Sequence, residues 1–518
     1  MTKLALSLGV LSLFFISQLS AQTCSGPGML SSQAEVNAFP ANYPGCTRIT
    51  DGLIISGADI TNLNALSVID TIDVSLDIVN NPILVNLTGL SGLLRIGSTL
   101  TVSDNALLQD FTGLSNLQSV GDLSVSNNNS LQDFTGFGPV TYLNSLSIQS
   151  NPVLQDLNGL GALNTVQYFT LSDNPLVVNC AGLSGLATIY QFYLSANDAF
   201  EDFSGLTSLN SLTLLNVLSS PSFVNFTGLE NISSIYSLQV TGNTALQNFT
   251  GLSNLTSIEG SFYIANNAGL QNFSGLSSII SIAEVSVLSN LNLQNFTGLN
   301  SLQFISNSMV VNDNNNLVSF TGFDNLESIT WINVSSNNLL TQFNVREDIS
   351  VTGGVSVLNN SNLEFCCPIE SGNITGSISL SGNQPTCNTL ANILAYCDPD
   401  GDNINIPNDN CPYRPNPLQQ DDDSDGVGNA CDNCPLIPNT NQADINDNFI
   451  GDACETSENG KVGLGITTPK SGFQVKDKDL YLDSSTRGII MKNYQGDCYR
   501  IFIDEEGKLQ TMQITCPN

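Results

Sequence analysis

The sequence predicts a mainly β chain: a long stack of short repeats, an irregular acid-rich segment and a small β module. Three observations lead there. One apolar pattern recurs every 23 or 24 residues from about residue 60 to 385. Residues 398–455 carry 13 acids and one base, Arg414, with apolar residues too sparse for a conventional core. From Gly460 the balance shifts toward lysine, and apolar and polar residues alternate in strand-like stretches.

Taken in chain order, the N-terminus reads MTKLALSLGVLSLFFISQLSAQTCSG. Lys3, a short apolar run and the small pair Ser20-Ala21 predict a secretory signal peptide over residues 1–21, cleaved after Ala21. The run is interrupted by Ser12, Ser17 and Gln18, so it falls short of the roughly 20 apolar residues of a membrane span. No other segment is long and apolar enough to span a bilayer. Residues 22–59 are expected to cap the stack.

The 518 residues include 46 acids, 13 bases and no histidine, a net charge of -33. Nucleic acid and anionic membrane surfaces both require positive charge and are excluded as partners. The lack of histidine removes Ser-His-Asp and Cys-His catalysis, His-ligated zinc and imidazole pH switching.

Export permits disulfides. The 13 cysteines fall in even clusters apart from one. Cys24 and Cys46 form the first; Cys366, Cys367, Cys387 and Cys397 the next; then Cys411, Cys431, Cys434 and Cys454; and finally Cys498 with Cys516. Cys180 stands alone.

One repeat, residues 113–135, reads GLSNLQSVGDLSVSNNNSLQDFT. Spacing by three and then by two is no helix pattern, and Leu123 and Val125 mark a short strand with one buried face. Equivalent pairs are Leu146/Ile148, Phe169/Leu171, Phe192/Leu194 and onward to Ile332/Val334, about fourteen coils of 23–24 residues in all. An asparagine follows most strands by three residues, as at Asn105, Asn128 and Asn151. Buried amides there would satisfy backbone groups that lack sheet partners. A phenylalanine column runs through Phe111, Phe134, Phe203, Phe226 and Phe249. Leu157 and Cys180 take its place in two coils, so Cys180 is expected to be a buried, unpaired core residue. That leaves twelve cysteines for six disulfides.

The L-x-x-L-x-x-[IV]-x-x-L-x-[VI]-x-x-N pattern resembles leucine-rich-repeat solenoids, most closely the receptor L-domain type. The resemblance covers about 330 residues and implies a right-handed solenoid over residues 60–397 with a parallel sheet on one face. Fourteen coils would extend roughly 65 Å. End coils need caps: Cys24/Cys46 would staple the first and the Cys366–Cys397 cluster the last, with its pairing open.

Parallel β-solenoids also carry polysaccharide-degrading enzymes, which makes a secreted carbohydrate-active enzyme the alternative reading. A lyase generally needs a basic residue against the substrate carboxylate, and residues 47–397 hold only Arg48, Arg95 and Arg346, far apart in coil number. Asp110, Asp133, Asp156 and Asp202 would be the carboxylates of a glycosidase. They occupy a repeat position filled elsewhere by asparagine and are read as ladder residues. The sequons at Asn225, Asn248 and Asn295 likewise arise from the repeat columns.

In the acid-rich segment the acids have an order. Asp421, Asp423, Asp425, Val427, Asn429 and Asp432 stand at relative positions 1, 3, 5, 7, 9 and 12, the ligand spacing of an EF-hand-like calcium loop. Gly426 permits the sharp turn. Asp398, Asp400, Asp402, Ile404 and Asp409 form another such loop. Asp444, Asn446, Asn448, Ile450 and Glu455 form a third, with Asp452 beside them. The carboxylates repel, and calcium would remove the repulsion. Ile406 stands where the first loop wants an oxygen, and Asn446 and Asn448 replace acids in the third, so both should bind more weakly than the loop at Asp421.

DNCP, the N-P-x-Q-x-D element and DSDGVGNACD make residues 398–455 resemble thrombospondin type 3 repeats. The resemblance implies extracellular modules that wrap several calcium ions. It also implies disulfides between successive cysteines, Cys411 to Cys431 and Cys434 to Cys454.

The end of the chain, GKVGLGITTPKSGFQV onward, resembles V-G-I-G-T-x-x-P modules near the ends of bacterial surface and phage-tail proteins. Residues 456–518 are expected to be a β module for attachment or assembly, a possible route to a homo-oligomer. The expected whole is a secreted, calcium-binding surface or adhesion protein, not an enzyme, whose solenoid binds a protein or glycan partner.

Overall fold

The computed structural model describes residues 22–515, except 347–348, 371–373, 398–399, 401, 403, 405–407, 445–448, 457–460, 465–472, 476–488, 493–494, 496 and 504–506. The expected signal peptide and Cys516 lie outside the described residues. The chain divides into two compact units, Met1–Cys397 and Asp398–Asn518.

The first unit is a parallel β-solenoid of about 15 turns. Its sheet begins with Met29–Leu30 and Leu53–Ile55, within the segment expected to act only as a cap, and ends at Ser377–Ser381. The strand register reproduces the repeat: Leu146 faces Phe169, Phe169 faces Phe192, and Phe192 faces Leu215. In the first coils a second strip, Gln22–Cys24, Cys46–Ile49, Thr71–Ile72 and Arg95–Ile96, forms its own parallel sheet. From Tyr142–Gln149 onward most coils carry one strand of eight or nine residues. In Thr165–Ser172 the buried residues are Val166, Phe169 and Leu171. Two consecutive residues, Gln167 and Tyr168, stay out of the core there, so the strand turns a corner.

Both sequence columns are core features. The buried asparagines form a continuous amide ladder. Asn128 Nδ2 donates to Val102 O (2.9 Å) and Ser126 O (3.0 Å), and its own backbone N–H donates to Asn151 Oδ1 (3.1 Å). Each side chain thereby pairs backbone groups that the strands leave over. Ser220 fills the gap in the ladder, its Oγ accepting the Asn197 N–H at 3.3 Å. Phe226, Phe249, Phe273 and Phe296 stack with centroids 5.3–5.4 Å apart. Cys180 lies fully buried in this column as a free thiol. Burial, with the Asp202 charge adding to it, pushes that thiol far above its ordinary pKa.

One column was not read from the sequence. From Gly113 to Gly322 the glycine after each Phe-Thr or equivalent pair has positive φ, as at Gly251 (φ +103°), where a Cβ would strike the Phe226 carbonyl of the previous coil. Only glycine allows coils to approach this closely.

The ends are closed by short helices and disulfides. Gln33–Asn42 starts at Ser32, whose Oγ accepts the Glu35 N–H, and buries Val36 and Phe39. Glu35 reaches back to the Ser31 N–H and hydroxyl, bonds that lower its pKa. Cys24 pairs with Cys46; at the far end Cys366 pairs with Cys387 and Cys367 with Cys397, beside the helix Leu390–Tyr396.

In the second unit, residues 409–454 are turns and bends where described. Two three-stranded sheets follow. Glu455–Thr456, Lys461–Leu464 and Phe473–Val475 form one; Ile489–Lys492, Cys498–Ile503 and Leu509–Ile514 form the other. Cys498 is disulfide-bonded.

Candidate metal centre

With little apolar material to bury, the segment from Asp400 folds around its own polar groups. Successive turns are built alike, 23 residues apart. In the first, Asn410 N–H donates to Gln419 Oε1 (2.7 Å) and Asn410 Nδ2 to Gln419 O (3.1 Å). Gln419 Nε2 donates to Asp409 Oδ1 (2.8 Å), which also accepts the Cys411 N–H (2.9 Å). In the second turn Asn433, Gln442, Asp432 and Cys434 make the same four bonds. The disulfides Cys411–Cys431 and Cys434–Cys454 lock the turns in the pairing the resemblance implies. The scaffold roles of Asn410/Asn433 and Gln419/Gln442 were missed from sequence, although the glutamine lies in the quoted N-P-x-Q element.

Two groups of carboxylates converge. Asp400, Asp402 and Asp409 each place an oxygen within 4.8 Å of the others, and so do Asp421, Asp423 and Asp425. Asp409, Asp423 and Asp432 each keep one Oδ2 buried with no hydrogen-bond partner among the described residues. Burial pushes the Asp423 carboxyl above its ordinary pKa. The Asp425 N–H opposes that rise, while the charges of Asp425, Asp432 and Asp421 add to it. Burial also acts upward on Asp421, but the N–H groups of Gly426 and Ser424 outweigh it and hold that carboxyl low.

The remaining expected ligands divide. Ile404 and Val427, at position 7, donate their N–H to Asp402 Oδ1 (2.9 Å) and Asp425 Oδ1 (2.8 Å). Asn429 Oδ1 accepts the Asp422 N–H at 3.0 Å, so this oxygen is engaged by backbone. Asp444 Oδ2 accepts the Phe449 N–H, as Asp421 Oδ2 accepts that of Gly426. Asp452 donates its backbone N–H to Ala443 O, and Ile450 is exposed. Asp398, Ile406, Asn446, Asn448 and the Glu455 side chain lie outside the described residues. Among those described, no third carboxylate group forms.

Buried oxygens without donors, in a set made only of hard oxygen ligands, fit a calcium-type cation better than zinc or copper, which prefer nitrogen and sulfur.

Residues 419–442 match the thrombospondin type 3 repeat family. No curated protein matches the chain. Among solved structures it is similar to a leucine-rich repeat protein from Bacteroides ovatus, at 13% identity and a TM-score of 0.20 over 62% of this chain and 87% of that one. Another is a leucine-rich repeat protein from Eubacterium ventriosum, at 12% identity and a TM-score of 0.18 over 70% and 90%. The strand register, not these likenesses, carries the fold. Among the described residues no helix is long and apolar enough to cross a membrane. The disulfides and the repeat are consistent with an extracellular protein. The chain is a parallel β-solenoid followed by a segment similar to thrombospondin type 3 repeats.

Proposed function

We propose that this is a secreted, calcium-binding surface or adhesion protein in which calcium braces residues 398–455 and the solenoid engages a protein or glycan partner. The observation that carries the reading is the twofold acidic cage, with Asp409, Asp423 and Asp432 each keeping a buried oxygen without a donor among the described residues. Such groups are costly unless a cation meets them. Asp400, Asp402 and Asp409 would hold one ion; Asp421, Asp423 and Asp425, with Asp432 beside them, another. The solenoid supplies a long face on its own core, as repeat proteins that bind partners do. Residues 456–518 would serve attachment or assembly.

The enzyme alternative gains nothing from its candidate carboxylates. Asp110, Asp133, Asp156 and Asp202 each accept the backbone N–H two residues on, at 2.7–2.9 Å. Asn225, Asn248 and Asn295 make the same bond, so acid and amide serve one turn. The reading is tested by scanning calorimetry of the secreted chain. Calcium should raise a transition belonging to the second unit and leave the solenoid transition in place. A scan unchanged by millimolar calcium would contradict it.

A further inference from the structure

The sheet face of the solenoid differs in character from the rest of the chain. From Thr99–Ser103 to Ser377–Ser381 its strands contain no lysine or arginine, and their only acids are Asp122, Glu259 and Glu284. In a chain with 46 acids, this is a nearly uncharged surface of serine, threonine, asparagine and glutamine.

Large aromatics stand exposed on it or at its edge, and two are seated in an unusual way: Trp331 within the strand Ser328–Ser335, and Tyr236 at the break between Ser234–Ile235 and Ser237–Thr241. Tyr236 is 54% exposed, yet its ring rests against the next coil at Gly260, where a Cβ would meet Cε1 and Cζ at 2.9 and 3.1 Å. Trp331 is 47% exposed, and its indole spans two consecutive glycines of the next coil. A Cβ on Gly353 would fall on Nε1 and Cε2, and one on Gly354 would lie 2.8 Å from Cζ3. Glycine clears a seat in both cases. Each ring lies against the next coil at a glycine and remains about half exposed. The two rings are separated by four coils, about 19 Å at the usual strand spacing.

We infer that this face binds an uncharged polysaccharide, with Tyr236 and Trp331 as stacking surfaces for its sugar rings. The inference deepens the proposed adhesion role and rests on the solenoid being its binding part. The chemistry favours this occupant. Sugar C–H groups carry partial positive charge and pack on the negative π face of an aromatic ring. The flanking hydroxyl and amide groups, Ser306, Asn307, Thr330 and Asn333 among them, can both donate and accept toward sugar hydroxyls. A polyanionic glycan finds no cation on this face and is repelled by the chain's net charge of -33.

The test is affinity electrophoresis of the full secreted chain through gels containing xyloglucan, galactomannan or mixed-linkage β-glucan, with alginate and pectate as anionic counterparts. At least one neutral polymer should retard the chain, and the anionic ones should not. Trp331→Ala and Tyr236→Ala should each weaken retardation at least about tenfold, while Tyr236→Phe retains it. Solenoid melting should stay cooperative and fall only slightly, since both rings rest on the next coil but lie outside the core. Retardation by none of the neutral polymers, equal retardation by the anionic ones, or alanine variants that bind like the parent would overturn the inference. Capture of a protein ligand with no glycan retardation would also overturn it, yet would leave the adhesion role standing. The calcium transition does not involve these residues, so its failure is separately visible.

Discussion

Asp402 and Asp425 stand 23 residues apart and make the same three bonds. Each accepts at Oδ1 the N–H two residues on, from Ile404 (2.9 Å) or Val427 (2.8 Å). Each accepts at Oδ2 a distant N–H, from Asn416 (2.8 Å) or Asn439 (2.6 Å). Each donates its own N–H to the acid two positions earlier, Asp400 or Asp423, at 3.2 Å. The repeat is thus one of hydrogen bonding as well as of charge.

This separates the roles of neighbouring acids. Asp425 ties the loop to Asn439, whereas Asp423 has one oxygen engaged by the Asp425 N–H and the other buried without a donor among the described residues. Asp423→Asn should weaken calcium binding about tenfold by removing ligand charge, yet make the metal-free segment more resistant to protease by relieving repulsion. Asp425→Asn should weaken binding and also loosen the metal-free segment, because an amide N–H would face the Asn439 N–H. Calcium titrations and digestion rates in chelator distinguish the two. Equal digestion rates for both variants would refute the division.

The Phe column contains a size exchange. In the coils where it holds Leu157 and Cys180, the following strand carries Phe169 and Phe192, stacked at 4.4 Å. Phe192 also meets Phe203 edge-on at 5.7 Å. Cys180→Phe should therefore overpack and cost about 1–3 kcal/mol. Adding Phe192→Leu should recover much of that loss, which a double-mutant cycle by denaturant unfolding measures.

The Cys180 thiol should resist alkylation in the native state. Its pKa is raised, so the reactive thiolate forms only at strongly alkaline pH, and burial bars access besides. Unfolding without reductant should release one thiol that reacts at ordinary rates. Native labelling as fast as that of the unfolded chain would contradict the burial.

The amide ladder tolerates some residues and not others. Asn174 Nδ2 donates to Ile148 O (3.0 Å) and Ser172 O (2.8 Å), and its Oδ1 accepts the Asn151 N–H at 3.1 Å. Asn174→Leu removes the partner of Ile148 O and of the Asn151 N–H, while Ser172 O keeps the Ser150 N–H (3.1 Å), and each buried group left unpaired costs about 1–3 kcal/mol. Asn174→Ser should cost less, because Ser220 serves one rung with its hydroxyl. Equilibrium unfolding ranks the two.

Much of this was legible in the sequence because the solenoid's columns are strict. Period-two apolar pairs such as Leu123/Val125 mark the strands, and an asparagine three residues on, such as Asn128, marks the ladder. The early coils were less legible. Met29–Leu30 is a two-residue strand, too short to show alternation, so the sheet begins earlier than the pattern suggests. In the acid-rich segment spacing pointed to Asp421, Asp423 and Asp425. It did not show that Asn429 would turn its oxygen to the Asp422 N–H, because that choice depends on how the loop closes. The seats of Tyr236 and Trp331 were also hidden, since they depend on glycines one coil later.

The central claim is that calcium holds residues 398–455 together while the solenoid stands on its own core. One ion at 100-fold excess over its dissociation constant stabilises the bound fold by about 2.7 kcal/mol, and this segment has little buried apolar surface to replace it. The most direct measurement is calcium titration by calorimetry of the secreted chain, paired with limited proteolysis with and without chelator. The expected result is heat of binding at or below millimolar calcium, with chelator-dependent cleavage confined to residues 398–455 and the solenoid intact. No binding heat, with identical cleavage in both conditions, would contradict the account and leave a disulfide-bonded acidic spacer in its place.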